Sequence, residues 1–384
     1  MPKKMILILT VTILILAFPT MKVGAGDLTI EGELTSRLEG SLSESELLLL
    51  SNHLKLNLNH YRPEAGLTTA TLEISDQRGT KLSLKEAYVE LYYAATDLTI
   101  GKQRIAWGKA DGINPTDNFN PQDQTQPFAD DNKLRVPAVR ARHYSGDWIF
   151  DLVWVPAFTS PVFAAPGERW SVLPSGRIKP VYPEDKLKHS EYGVRASRWT
   201  PAVDFSVSYF NGYSKDPAFP PDPKRDGGDY IWQPEFYRVN VLGGDFSKDF
   251  GSFVLRGEGA YFKPEENFQL KNPSYQCVLG VDFNLINQLY INTQYYREQE
   301  AEREAINMIT GSAQYEVTPF QSFELNGSYG LDHQDYVLNP VYIVDVVDGL
   351  SLSLGLYFFA GDEGTLFGSF AEKDYYYLQL NKSF

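Results

Sequence analysis

Residues 54–59 read Leu-Lys-Leu-Asn-Leu-Asn, so a leucine stands at every second position and a polar side chain between each pair. Consecutive side chains of a β-strand point to opposite faces, and the stretch therefore predicts a strand with one apolar and one polar face. Strands of soluble β-sandwiches alternate in the same way. The stretch thus indicates the β class and leaves open whether lipid or protein covers the apolar face.

The same alternation recurs along most of the chain. It is found again at residues 69–74, 86–91, 275–284 and 351–358, where apolar side chains alternate with small or polar ones. In a membrane barrel the apolar face meets lipid, and the other face lines a wet lumen. The sequence therefore predicts an all-β protein in which most strands have two unlike faces.

Two kinds of connection separate these strands. The short ones lie at residues 62–66, 94–97, 145–147, 199–202, 247–251, 317–320 and 347–349. The longer, more polar ones lie at residues 39–46, 109–133, 157–188, 214–231, 263–272 and 361–373. Short periplasmic turns that alternate with longer external loops are typical of outer-membrane barrels. We therefore predict a single closed antiparallel transmembrane β-barrel of about eighteen strands, with sixteen as the nearest alternative and both termini periplasmic.

The N-terminus indicates export. Lys3 and Lys4 precede an apolar run at residues 5–18, and small residues follow at Val23-Gly24-Ala25. This order predicts a signal peptide at residues 1–25, cleaved after Ala25, and a barrel at residues 26–384. The run is about fourteen residues long, shorter than the roughly 18–20 of a spanning helix, and an uncleaved membrane anchor is the alternative.

Charge and cysteine content exclude several classes of protein. The net charge of −14 becomes −17 when the three lysines of the signal peptide are removed, so the basic surface of a nucleic-acid-binding protein is missing. Cys277 stands alone, which excludes a disulfide framework and a cysteine-based zinc site. We predict no cofactor and no metal.

The last strand carries its own signal. Tyr376, Leu378, Leu380 and Phe384 share one strand face at the very end of the chain. This ending resembles that of bacterial outer-membrane barrels, and the resemblance implies recognition of Phe384 by the barrel-assembly machinery. We therefore expect outer-membrane lipid around the barrel. The oligomeric state is left open.

The most distinctive stretch is Ile-Gly-Lys-Gln-Arg-Ile-Ala-Trp-Gly at residues 100–108, followed by Asn-Pro-Thr-Asp at 114–117 and Asn-Pro-Gln-Asp at 120–123. Arg-x-x-Trp-Gly before paired Asn-Pro-x-Asp units resembles a family of porin-like outer-membrane barrels of mostly unassigned substrate. Gly361-Asp362 and Phe367-Gly368 resemble the same family near its C-terminus. Strand number and lumen charge are more distantly similar to alginate-export barrels. Neither resemblance implies a particular solute.

The Asn-Pro-x-Asp units give the loop at residues 109–133 its chemistry. Proline fixes φ, and asparagine or aspartate caps a turn through its own backbone, so two such units favour a compact loop. One interpretation is a constriction loop folded into the pore, with Asp111, Asn114, Asp117, Asn120 and Asp123 as its polar residues. An ordered external loop is the other. The same oxygens, with Asn118, could also gather Ca²⁺, although turn capping explains them without a metal.

Projecting the alternation inward predicts the residues that line the pore. The acidic ones are Glu73, Glu86 and Glu90, and the basic ones are Arg104, Arg140, Arg142, Arg195, Arg238 and Arg256. Arg104 is in phase with Ile100, so a bulge near Gly101 is needed to turn it inward. The arginines could form a path for anions, or they could pair with acidic neighbours. Both interpretations remain open at this stage.

The function predicted from these features is a porin-like channel for passive diffusion of small solutes, with a preference for anionic ones as a further hypothesis. A ligand-binding, partner-binding or structural outer-membrane barrel with adhesin-like loops is the alternative. An enzyme needs an activated nucleophile and a base within reach. The five histidines, at positions 53, 60, 143, 189 and 333, show no such arrangement in the sequence, and no catalytic residue is predicted.

Overall fold

The computed structural model describes residues 28–43, 46–62, 66–77, 79–129, 131–174, 177–184, 186–227, 229–265, 268 and 270–384. The predicted signal peptide and its cleavage site lie outside these residues, and they stay predictions. Eighteen antiparallel strands form one sheet. They are β1 Leu28–Ser41, β2 Leu47–Arg62, β3 Gly66–Ser75, β4 Lys81–Tyr93, β5 Thr96–Gln103, β6 Val136–Ser145, β7 Trp148–Val155, β8 Glu191–Arg198, β9 Asp204–Tyr213, β10 Arg238–Asp249, β11 Phe253–Pro264, β12 Ser274–Ile286, β13 Leu289–Glu300, β14 Ile306–Thr318, β15 Gln321–Gly330, β16 Tyr336–Val347, β17 Leu350–Ala360 and β18 Tyr375–Ser383.

The sheet closes on itself because β18 pairs with β1, with Leu378 opposite Leu38. Beyond the last strand, the N–H of Phe384 donates to the carbonyl of Gly32 over 2.9 Å, and the N–H of Gly32 donates back over 2.8 Å. A side chain at position 32 would collide with the Phe384 ring, which explains the glycine. The predicted closed barrel of eighteen strands is confirmed.

The alternation seen in the sequence separates the outside of the barrel from its inside. On β2 and β3 the polar positions face the lumen, where the Thr69 and Thr71 hydroxyls donate to the Asn59 and Asn57 amide oxygens, each over 3.0 Å. Leu242 on β10, in contrast, is 63% exposed on the outer surface. The barrel thus presents an apolar exterior and a polar wall inside, as a membrane-spanning barrel requires.

Exposed aromatic side chains mark the two edges of this exterior. Those at the end of the barrel where β1 begins and β18 ends are Tyr93, Phe250, Phe253 and Phe320. Those at the opposite end are Trp154, Tyr192, Tyr261, Tyr275 and Tyr329. Aromatic girdles at both lipid–water boundaries flank the apolar band of transmembrane barrels. The exterior therefore has the apolar band and the two aromatic girdles that a membrane-spanning barrel presents to lipid.

Turns and loops lie at opposite ends of the barrel. The connections predicted from the sequence did not include the turn at residues 287–288 or the loops at 76–80, 301–305 and 331–335, all of which are short. The three longest loops are residues 104–135, 156–190 and 214–237. The second and third share a small sheet of Arg177–Ile178, Lys224–Asp226 and Asp229–Trp232. In the part of the chain that the structure describes, two 3-10 helices, Leu187–His189 and Gly368–Phe370, interrupt the loops. Within the described residues, no helix is long and apolar enough to cross a membrane.

Candidate functional site: a loop inside the barrel

The loop at residues 104–135, here called the inner loop, packs its apolar side chains against the inside of the barrel. Ile105, Trp107 and Phe119 are almost completely buried. The Phe119 ring stands edge-on to Trp107, with 5.1 Å between ring centroids, and to Phe210 of β9 at 4.9 Å. This packing shields from water apolar side chains that an external loop would leave exposed. The inner loop consequently lies within the lumen.

Glu258, in the middle of β11, holds the inner loop against the wall. Its Oε1 accepts from the Thr116 N–H and the Thr116 hydroxyl, each over 2.8 Å. Its Oε2 accepts from the N–H groups of Lys109 and Ala110 over 2.8 and 3.1 Å. Four donors converge on one carboxylate that is only 5% exposed. Sequence analysis missed Glu258, because its partners, three backbone N–H groups and the Thr116 hydroxyl, are far away in the chain.

The same contact explains the glycine of the Arg-x-x-Trp-Gly motif. Gly108 has a φ of +98°, which L side chains rarely adopt. A Cβ at this position would also lie 2.4 Å from Oε2 of Glu258. The backbone can therefore approach the carboxylate only where residue 108 has no side chain.

Asp111 marks how deeply the inner loop enters. Its Oδ2 lies 3.2 Å from Nη1 of Arg256 and accepts from the Asn292 amide over 3.0 Å. Arg256 and Asn292 are each the fourth residue of a strand that starts at the turn end, β11 and β13. The loop leaves the barrel wall at β5, six strands away from β11. It therefore crosses the lumen and reaches the half nearer the turns.

The Asn-Pro-x-Asp units act as turn caps and cross-links. The Asp117 N–H donates to the Asn114 carbonyl over 3.1 Å, and Asp123 Oδ1 accepts from the Thr125 N–H over 3.0 Å. Asn120 links the two limbs of the loop, since it accepts from the Ile105 N–H over 2.8 Å and donates to the Leu134 carbonyl over 2.7 Å. In the described part of the chain, no group of three or more His, Cys, Asp or Glu side chains is placed to hold a metal.

A charge network ties the far end of the inner loop to β3 and β4. Arg135 donates to both carboxylate oxygens of Asp131 over 2.8 Å and to Glu86 over 2.7 Å. Lys85 Nζ lies 2.7 Å from Glu73 and 3.0 Å from Asp131. Burial opposes the charge on Asp131, but the hydrogen bonds from Arg135 and Lys85 outweigh it and hold the pKa of Asp131 well below its usual range.

Two details of the predicted lumen need correction. The ladders of β5 run without a register shift at Gly101, so the expected bulge is absent from them. The strand instead ends at Gln103, and Arg104 belongs to the inner loop, 3.5 Å from Asp131. Arg238, the first residue of β10, has the phase of the lipid-facing Leu242 and donates to Asn211 and to the Ser190 carbonyl. Arg238 therefore does not belong with the arginines that line the lumen.

Three of the other arginines in the row have close carboxylate partners on a neighbouring strand or, for Arg195, on the next strand but one. These pairs are Arg140 with Asp151, Arg195 with Asp245, and Arg256 with Asp282. Arg142 is farther from its nearest carboxylate, 3.9 Å from Asp151, and 39% of its side chain is exposed. Glu90 lies on the lumen face of β4 and contributes to the field at Arg142. Sequence analysis did not identify the three aspartates as partners, since strand pairing alone determines which charges meet.

Aromatic side chains join a second loop to the inner loop. Phe128 of the inner loop and Trp170 of the loop at residues 156–190 have ring centroids 5.3 Å apart, and both contact Phe359 of β17. The Arg169 guanidinium lies 4.3 Å from the ring centroids of both Trp170 and Tyr375. It also lies 3.0 Å from Glu39 of β1. Two loops thus converge on the wall at β17, β18 and β1.

A polar cavity of about 340 Å³ lies between the inner loop and the wall from β9 to β13, toward the loop end. The inner loop contributes Asn114, Asp117 and Asn118 to its lining, and the wall contributes Gln276 and Glu298. The loop therefore narrows the lumen on one side and leaves room for a small molecule on the other.

No protein-family model matches the sequence, and no curated protein matches it. Solved structures share its fold. OccAB4 of Acinetobacter baumannii has a TM-score of 0.59 at 9% identity, over 94% of this chain and 99% of that chain. OccK11 (OpdR) of Pseudomonas aeruginosa has 0.57 at 10%, over 93% and 96%. The trimer form of OmpT, an outer membrane protein of Vibrio cholerae, has 0.51 at 8%, over 93% and 99%. The likeness covers the whole barrel and establishes the fold.

Proposed function

We propose that this chain is an outer-membrane channel for passive diffusion of small solutes, with the inner loop as its constriction. The observation that carries the proposal is the loop itself, which crosses a polar lumen and is fixed to the wall by Glu258 and Asp111. A fixed loop in a wet lumen limits the size of what can pass. The motif resemblance to porin-like barrels and the shared barrel fold support the same function.

The proposal includes a location and an orientation. The exterior between the aromatic girdles suits a bilayer, and the predicted signal peptide indicates export, so we place the barrel in a bacterial outer membrane. The start of β1, the end of β18 and the short turns lie at the same end of the barrel, and we assign that end to the periplasm. The inner loop would then enter from the outside, and solutes would meet the polar cavity before the constriction.

The arginine pairs argue for a weak charge preference. A guanidinium that shares a hydrogen bond with a carboxylate contributes little net field to a passing anion. Arg140, Arg195 and Arg256 are each in this state, whereas the Arg142 side chain is more accessible to solutes. We therefore favour a general pore in which the arginines mainly hold the wall and the loop in place, with Arg142 as the residue that attracts anions.

Conductance and reversal potential in planar bilayers test the proposal. We expect stepwise conductance in KCl and an anion-to-cation permeability ratio close to one in a salt gradient. Arg142→Glu should shift the ratio toward cations more than Arg195→Gln does. A ratio far above one in the native protein would restore the anion-selective hypothesis. Absence of conductance would favour the binding or structural alternative.

A further inference from the structure

The polar cavity has a lining rich in amides. Asn114, Asn118, Gln122 and Gln124 come from the inner loop, Asn272 comes from the loop before β12, and Gln276 comes from β12 in the wall. A side-chain amide both donates and accepts hydrogen bonds and carries no charge. At about 340 Å³ the cavity falls at the lower end of the range of small-molecule sites.

Each lysine of the lining has a carboxylate partner. Lys133 lies 3.4 Å from Asp117, Lys215 lies 2.7 Å from Glu191, and Lys271 lies 3.6 Å from Glu300. An anion entering the cavity would have to compete with these carboxylates. The electrostatics therefore disfavour an anionic ligand.

Two acceptors of the lining are unsatisfied. Oδ1 of Asn114 and Oδ1 of Asp117 are buried and have no hydrogen-bond partner among the described residues. Asp117 is only 8% exposed. Buried acceptors of this kind favour a ligand that brings donors. A hydroxyl group donates to such oxygens and can accept from a neighbouring amide at the same time.

Aromatic rings supply the apolar part of the lining. Tyr237 lies at the cavity and stacks on Phe268, with 4.6 Å between ring centroids and 13° between planes. Phe210 and Phe262 line the cavity from β9 and β11. Amides and hydroxyls at the edges with flat rings beside them suit a molecule that has a hydroxylated rim and an apolar C–H face.

We infer that the cavity is a binding site for a neutral, polyhydroxylated solute of about monosaccharide size. This inference rests on the proposed channel function, because the ligand reaches the cavity through the lumen. The bound solute lies between the inner loop and the wall from β9 to β13, and its hydroxyl groups bond to the amides. Binding there precedes passage beyond the loop.

Two measurements on the native protein in detergent and in bilayers test this inference. Glucose should bind by titration calorimetry and should reduce the KCl current with the same saturating concentration dependence. Spermidine and citrate should show no saturable effect at equal concentration. Gln276→Leu, which removes one wall amide, should weaken glucose binding about fivefold, the size expected for one neutral hydrogen bond. Gln314→Leu is the matched control, because Gln314 is on β14 and outside the cavity lining.

The outcomes separate the two proposals. KCl conductance without saturable glucose binding overturns the polyol site and leaves the channel intact. Glucose binding without conductance overturns the channel. Saturable binding of spermidine or citrate in place of glucose would assign the cavity to a charged ligand, and equal weakening by Gln276→Leu and Gln314→Leu would place the sugar elsewhere.

Discussion

Replacing Glu258 by glutamine should loosen the inner loop without altering the size of the side chain. The glutamine oxygen can still accept from the two donors of Thr116. Its NH₂ group, however, would face the N–H groups of Lys109 and Ala110, and two hydrogen bonds would be lost. A hydrogen bond to a charged group contributes about 1.5–3 kcal/mol, so the docked loop loses roughly 3–6 kcal/mol. Even the lower figure shifts its docking equilibrium about a hundredfold.

Single-channel recording in planar bilayers measures this change. We expect Glu258→Gln to give a larger and noisier conductance than the native protein, because a loop that leaves the wall intermittently widens the pore. The substitution also removes a lumen charge, which alters conductance by itself. Glu90→Gln is therefore the control, since it removes the same charge from β4 while Glu258 keeps all four donors.

The prediction is contradicted if Glu258→Gln and Glu90→Gln change conductance and noise equally. In that case the charge would matter and the loop would not. It also fails if Glu258→Gln lowers conductance while the barrel remains assembled, because a freed loop would then block the pore and the native docking would keep it open.

In a Cys277→Ser background, cysteines at positions 86, 90, 140 and 142 should react with a charged thiol reagent and those at 89 and 141 should not; the reverse would mean a register error. The pKa of Asp131 is lowered in the folded protein, so its bonds to Arg135 and Lys85 persist at pH values above that folded pKa and are lost only below it. Asp131→Asn at pH 7 should therefore raise conductance more than bringing the native protein to about pH 4 does. Deleting Phe384 removes two backbone hydrogen bonds at the barrel seam and the residue that we expect the assembly machinery to recognise, so outer-membrane insertion should slow while export continues, and a normal insertion rate would contradict both roles.

The barrel could be predicted because its information is local. The alternation within each strand identifies its apolar and its polar face, as it does at residues 54–59. Each turn is short enough to be recognised between two such strands. Several connections were missed. The strand number was still right, because the alternation of side chains marks the strands even where the connection between them is overlooked. Glu73, Glu86 and Glu90 were placed on the lumen face from that periodicity alone, which needs only the residues of their own strands.

The pairing of the charged side chains with one another could not be predicted in the same way. Periodicity says that Arg195 faces inward, but only the pairing of β8 with β9 and of β9 with β10 brings it to Asp245. The bulge expected near Gly101 is absent because β5 ends one residue before Arg104, after which alternation no longer determines the direction of a side chain. A side chain's face is thus a property of its strand, whereas its partner is a property of the sheet.

The sequence by itself determined that the chain forms a closed barrel and that residues 109–133 form a compact, turn-rich loop. Only the tertiary structure decided where that loop goes. Its position depends on Glu258 and Asn292, which are more than a hundred residues away in the chain and bind backbone and side-chain groups that no local pattern marks. Short-range periodicity fixes strands because their geometry repeats, while the path of a loop through the lumen depends on contacts that exist only after the barrel has closed.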